Sequence, residues 1–194
     1  MMAAYAAAES GHAVTLLEQN EKLGKKLFIT GKGRCNLTNA SDMEQLFANV
    51  VSNRKFLYSA FYSYDNEQVI SFFESHGMPT KTERGNRVFP VSDHSSDVIA
   101  ALSTALRGQH VEVLLHTKVK RLLLEKRDEE KRVTGVELAD HTKMHADAVI
   151  VATGGISYPS TGATGDGYRM AEESGHKMVS VSYTHLRAHE TAAN

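Results

Sequence analysis

The chain has one cysteine, Cys35, which excludes an intramolecular disulfide framework and points to a reducing cytosol. It also lacks an excess of charge of either sign. Its 22 Lys and Arg stand against 23 Asp and Glu, so it carries no basic field of the kind that nucleic acid or an anionic membrane requires. No apolar run approaches the roughly 20 residues that cross a bilayer. The opening MMAAYAAAESGH has neither the basic start nor the long apolar core of a signal peptide, and its alanines read as a helix over 1–10 stopped by Gly11. Of the ten histidines, His141 and His145, like His185 and His189, are four apart. Neither pair has a Cys or an acid to complete a metal site. Ser160 and Thr161 near Asp166 lack a histidine base and a nucleophile elbow, which argues against a hydrolase triad. No internal repeat or low-complexity segment is present.

What the chain does have is glycine in groups. The run ADAVIVATGGISYPSTGATGDGY reads as a buried parallel strand over 148–152 that empties into glycines and then into a helix. Backbone without side chains suits close approach to a ligand, and a helix starting beyond such a turn aims its unpaired N–H groups at it. Ser157, Thr161 and Thr164 are placed to cap that helix or to bond a cofactor. Near the start, residues 12–18 read as a short strand ending in Glu18, so the order is helix, glycine, strand, acid. In a dinucleotide-binding βαβ unit an acid in that place binds ribose hydroxyls, and the glycine-rich turn precedes the helix. The expectation is therefore a chain that begins just after that turn. The alternative is that Glu18 is a solvated strand end.

A second dense block, GKKLFITGKGRCNLTN over 24–39, reads as a polar loop. Lys26, Thr30 and Arg34 are candidates to meet a phosphate or a cofactor edge, against the reading of a solvated basic loop. Beside Arg34, Cys35 is either a thiol of lowered pKa or a small packed residue. Residues 42–78 form a helical insert with Phe56, Leu57, Phe61, Val69, Ile70 and Phe73 at helical spacing, a core stripe or a pocket lining. Gly85-Asn86 predicts a hairpin over 80–89. Ser92 to Arg107 reads as a helix with an Ile99, Leu102 and Leu106 stripe. Strands follow over 111–115, 118–126 and 132–140, with a charged hairpin loop over 126–131.

GKKLFITGKGRCNLTN, GNRVFPVSD and VIVATGGISYPSTGATGDGYRMAEESGH together resemble the YhiN/BaiN-type flavoproteins. These are a bacterial group of NAD(P)/FAD-dependent or aminoacetone-oxidase-like oxidoreductases. The resemblance runs from Met1 to about Val181. It implies an α/β, FAD/NAD(P)-binding Rossmann-like fold of the glutathione-reductase type, with a small antiparallel β layer, a helical insert and its first strand missing. It further implies non-covalent FAD, with NAD(P)H or an organic substrate as hydride donor and a small-molecule substrate. Glu18 would hold the adenosine ribose, and Lys26, Thr30, Gly31, Gly33, Arg34, Cys35 and Asn36 would lie along the cofactor. Val119 would meet the adenine side through its backbone. Ala152, Thr153, Gly154 and Gly155, with Gly165, Asp166 and Gly167, would pass near the pyrophosphate and flavin. Members of the group carry a strand and a GGGPAG-like turn before the segment matching MMAAYAA, so FAD affinity is expected to suffer here. Residues 1–182 are read as a partial FAD-binding domain and 183–194, YTHLRAHETAAN, as a foreign tail. The rival readings are a nucleotide-binding module without redox activity and an inactive truncated product.

Overall fold

The computed structural model describes residues 1–127 and 130–179, which fall into two compact units. The first comprises Met1–Val119 together with the distant segment Tyr158–Gly162. In chain order it contains α1 (Met2–Glu9), β1 (Thr15–Leu17), α2 (Lys25–Phe28), a 3-10 turn (Thr30–Gly33), β2 (Thr38–Asn39), α3 (Met43–Ala48), a second 3-10 turn (Arg54–Leu57), α4 (Tyr58–Ser63), α5 (Asn66–Ser75), β3 (Thr80–Glu83), β4 (Arg87–Pro90), α6 (Ser95–Gly108) and β5 (Glu112–Leu114).

Helix α6 organises this unit. Val98, Ala101, Leu102, Ala105 and Leu106 follow the helical period and are all buried. Cys35, Phe72, Phe73 and Met78 pack with Val98, Ala101, Leu102 and Ala105 of that stripe into one cluster, flanked by Tyr5 of α1 and Leu27 of α2. At the start of α5, Asp65 and Gln68 form a reciprocal capping box, which satisfies otherwise orphaned N–H groups and orients Phe72 and Phe73 inward. Strands β1 and β5 pair in parallel, Leu16 opposite Val113, with the helices of the unit forming the crossover between them. The hairpin expected over 80–89 forms as β3 and β4, and β2 pairs with the other edge of β4.

Three expectations are corrected here. The block 24–39 is not an open loop, since it folds into α2, a 3-10 turn and the short strand β2. Phe56 does not join the core. It lies in a 3-10 turn, whose three-residue period carries it off the helical stripe, and it is 84% exposed. The helix expected from Ser92 starts instead at Ser95, preceded by His94 without a side-chain cap.

The second unit comprises Lys120–Ser157 and the chain from Ala163 onward. It holds β6 (Val119–Arg127) from its second residue on, β7 (Glu130–Leu138), β8 (Lys143–His145) and α7 (Asp166–Glu173). The strands form one sheet in the order β6-β7-β8. Strands β6 and β7 extend to Arg127 and from Glu130, into the span expected as a loop over 126–131; residues 128–129 lie outside the described residues, as does the tail over 183–194. Glu137 is buried in this sheet, and Arg121 donates to it at 2.8 and 2.5 Å. Lys120 and His141 meet its other oxygen at 3.2 and 3.1 Å. Hydrogen bonding from Arg121, then from Lys120 and His141, outweighs desolvation and holds the Glu137 carboxyl at about 2.

The parallel strand expected over 148–152 is not formed. Among the described residues no strand pairs with it, and Ile150 and Val151 are 63% and 41% exposed. An apolar sequence becomes a strand only where a neighbour supplies its ladder partners, so its composition alone was an insufficient guide. Among the described residues no helix is long and apolar enough to cross a membrane.

Candidate functional site

In the first unit the end of β1 carries Glu18, part-buried and tied into the parallel pair on both sides of its peptide. Its N–H donates to the Leu114 carbonyl at 2.9 Å, and its carbonyl accepts from the Thr117 N–H at 2.8 Å. The side chain is fixed as well. Glu18 Oε1 accepts from both the backbone N–H and the side-chain Nδ2 of Asn20, at 2.8 and 2.7 Å. No described residue donates a hydrogen bond to Oε2. A carboxylate with one oxygen locked and the other open is suited to receive a hydroxyl.

The segment Tyr158–Gly162 packs on this strand end. Asn20 Nδ2 also donates to the Thr161 carbonyl at 3.2 Å, and Gln19 Nε2 donates to the Gly162 carbonyl at 2.9 Å. Lys26 Nζ sits 3.9 Å above the centre of the Tyr158 ring, a cation–π contact. These contacts make Gln19, Asn20 and Tyr158 part of the site, and nothing local in the sequence signals them.

The turn 30–36 closes on itself. Arg34 N–H donates to the Gly31 carbonyl at 3.2 Å, Cys35 N–H donates to the Thr30 carbonyl at 3.1 Å, and Thr30 Oγ1 donates to the Leu27 carbonyl at 2.7 Å. The Arg34 guanidinium reaches Glu83 and Asp93, both at 2.6 Å, and lies 4.2 Å from the Phe89 ring centre. The bonds from Arg34 hold the Glu83 carboxyl below its ordinary value, and the Asp93 carboxyl is held down first by Lys81 and then by Arg34. The Cys35 side chain points into the core cluster, and burial pushes its thiol up. Its environment is that of a small packed residue, and a low-pKa thiol is not what this surrounding makes. Gly33 and Asn36 belong to the same turn, and Val119 opens β6.

In the second unit the two glycine groups meet. Gly165 N–H donates to the Gly155 carbonyl at 3.1 Å, joining the 152–155 turn to the start of α7. A Cβ on Gly167 would lie 2.7 Å from Thr153 Oγ1, so the helix approaches this turn through bare backbone. Asp166, in the first turn of α7, accepts from Thr164 Oγ1 at 2.7 Å and from Arg169 at 3.2 Å. The expected capping roles are not found for two of the three hydroxyls. Thr164 bonds Asp166, Thr161 bonds the Tyr158 carbonyl at 2.8 Å, and Gly165 precedes α7 without a side-chain cap. Among the described residues no cluster of His, Cys, Asp and Glu could hold a metal ion.

Comparison with known proteins gives the lineage. Residues 1–191 match the HI0933-like protein Rossmann domain. The chain is 36% identical over 183 residues to a 3-dehydro-bile acid delta(4,6)-reductase of Clostridium scindens, covering 93% of this chain and 42% of that protein. It is 29% identical over 173 residues to a ribosomal RNA dihydrouridine synthase of Haemophilus influenzae, covering 89% of this chain and 42% of that one. The chain thus spans about two-fifths of the length of these curated relatives. Among solved structures, the open conformation of a flavocytochrome c3 fumarate reductase aligns with a TM-score of 0.61 at 24% identity, over 90% of this chain and 38% of that one. Thermovibrio ammonificans THI4 aligns with a TM-score of 0.56 at 15% identity, over 91% of this chain and 58% of that one. Likeness at such identities is one of fold: Rossmann-like, mixed α/β with small antiparallel sheets. The chain belongs to the HI0933-like family, whose Rossmann domain it matches along nearly its whole length.

Proposed function

We propose that this chain is the FAD-binding part of an oxidoreductase that transfers hydride through the flavin, with Glu18 as the acid that holds the adenosine ribose. The observation that carries the reading is the state of that carboxylate. It stands at the end of a parallel strand with Oε1 locked by Asn20 and with no described residue donating to Oε2. A pair of ribose hydroxyls is the ligand chemistry this donor-hungry oxygen fits. When bound, the flavin supplies the two-electron chemistry, and the protein binds and orients it.

The other cofactor contacts are proposed from the family resemblance. Lys26, Thr30, Gly31, Gly33, Arg34, Cys35 and Asn36 line one stretch of the cofactor. Cys35 contributes through its backbone, since its side chain is in the core, and Val119 does likewise at the adenine side. Ala152, Thr153, Gly154, Gly155, Gly165, Asp166 and Gly167 serve the pyrophosphate and flavin portions. Both curated relatives are named for the addition of hydrogen, one as a reductase and one as a dihydrouridine synthase, which supports reduction as the direction of the reaction. NAD(P)H or an organic donor supplies the hydride. The near-zero net charge favours a small-molecule substrate over a polyanion.

The test is reconstitution. Purified protein titrated with FAD should show saturable binding by flavin fluorescence, even where affinity is too low to survive desalting, and Glu18→Gln should weaken FAD binding roughly tenfold, the weight of a hydrogen bond to a charged group. A colourless protein that binds ADP with no preference for FAD would make the chain a nucleotide module without redox chemistry. Reduction of an RNA uridine in preference to any small molecule would overturn the substrate class.

A further inference from the structure

We infer that Asn20 is the positioning residue of this nucleotide site, coupling the orientation of Glu18 to retention of the 158–162 strap. The inference rests on the reading of Glu18 given above.

Asn20 is committed on every polar atom. Its backbone N–H and Nδ2 hold Glu18 Oε1 at 2.8 and 2.7 Å, Nδ2 also holds the Thr161 carbonyl at 3.2 Å, and Oδ1 accepts from Lys25 at 3.3 Å. Its carbonyl accepts from the His116 N–H at 3.0 Å. A side-chain amide has two hydrogens, and here one serves the carboxylate and the other a carbonyl that lies 141 residues away in sequence. Gln19 adds a parallel bond to Gly162.

The far side of the clamp is shaped to receive these amides. Gly162 has φ +95°, and a Cβ there would lie 2.7 Å from Gln19 Nε2 and 2.9 Å from Asn20 Nδ2. The strap is otherwise held by its own short-range bonds, Thr161 N–H to the Tyr158 carbonyl and Gly162 N–H to the Pro159 carbonyl, and by the Lys26–Tyr158 contact. One amide therefore joins the acid to the strap. A ligand that fixes the Glu18 carboxylate also fixes Asn20, and with it the strap. Two sites biased by one shared element are coupled in both directions.

The experiment uses the 194-residue chain with ADP and 2′-deoxy-ADP as probes, reading dissociation constants by calorimetry and amide hydrogen exchange over 158–162. In the wild-type protein ADP should bind more tightly than its deoxy analogue and should slow exchange in the strap. Asn20→Ala should weaken ADP roughly tenfold, bring the ratio of the two ligands close to one, and abolish the ADP-dependent protection. Gln19→Ala should speed strap exchange and leave the ratio in place. Should the alanine variant fail to fold, Asn20→Asp, equal in size, replaces both donors with a repelling carboxylate and should erase the ratio outright. If Glu18→Gln removes the ribose preference while the Asn20 variants keep both preference and protection, the coupling is wrong and the Glu18 reading stands. If Glu18→Gln leaves ADP affinity and the ratio unchanged, or the wild-type protein binds no ADP, the site reading fails and takes the coupling with it.

Discussion

Replacing Gly135 with alanine should dismantle one edge of the second unit. Gly135 lies within β7 opposite His145 of β8 and has φ +147°, a conformation that L side chains rarely adopt. A Cβ there would press on the Met144 carbonyl oxygen and stand 2.8 Å from His145 Cα and 3.0 Å from the Met144 carbonyl carbon. All three are backbone atoms, so no rotamer change relieves the clash. Backbone strain at such a φ costs about 1–3 kcal/mol, and overpacking costs about 1–3 kcal/mol more. The reduced entropy of an unfolded alanine chain returns only about 0.4–1 kcal/mol. The net loss is about 1–6 kcal/mol, or, at about 2–4 °C per kcal/mol for a chain of this size, on the order of 2–20 °C in melting temperature. Escape is possible only if β8 moves off, and that gives up the register of Val136 with Met144 and Glu137 with Lys143. Thermal unfolding followed by circular dichroism, with hydrogen exchange at 143–146, reads both routes. An unchanged melting point with β8 amides still protected would show that the close approach is not a constraint, and the assigned pairing would have to be abandoned.

The Glu137 carboxyl, ordinarily near 4.5, is held at about 2 in the folded protein. The group is depressed, so its contribution is complete above the unfolded value and is lost as pH falls from about 4.5 towards 2. Glu137→Gln should flatten the acid limb of the stability curve in that window, and an unaltered limb would assign acid sensitivity to other carboxyls. Leu106→Ala, in the buried stripe of α6, should cost about 2–5 kcal/mol by denaturant unfolding; a loss below about 1 kcal/mol would mean that this helix is not the centre of the unit's core. Cys35, buried with its thiol pushed up, should resist alkylation in native buffer and react fully in denaturant. Rapid native labelling would place it outside the packed cluster.

How much of this was legible in the sequence depends on how far apart the interacting groups lie. The α6 stripe, the Asp65–Gln68 capping box and the Gly85-Asn86 turn are set by partners within one or two turns of chain, so periodicity and turn chemistry carry them. The stretch 148–152 has the composition of a buried strand, yet whether it is one depends on a neighbouring ladder that its own residues do not encode. Arg34 makes the same point for the site. Its type and setting make it a candidate for a phosphate, and its guanidinium is held by Glu83 and Asp93, 49 and 59 residues away. The two carboxylates already offset its charge and engage Nε and Nη2, so what it can offer a phosphate is set by residues distant in sequence and is a tertiary property. The clamp formed by Gln19 and Asn20 was likewise invisible, because its acceptors are 143 and 141 residues distant. Glu18 is the exception. Its side-chain partner is Asn20, two residues on, so the locking of Oε1 is a contact between near neighbours, although the Glu18 peptide is held by Leu114 and Thr117. Among the candidate cofactor positions Glu18 is therefore one whose carboxylate is oriented by a near neighbour in sequence, and the one at which a single substitution tests the nucleotide reading most directly.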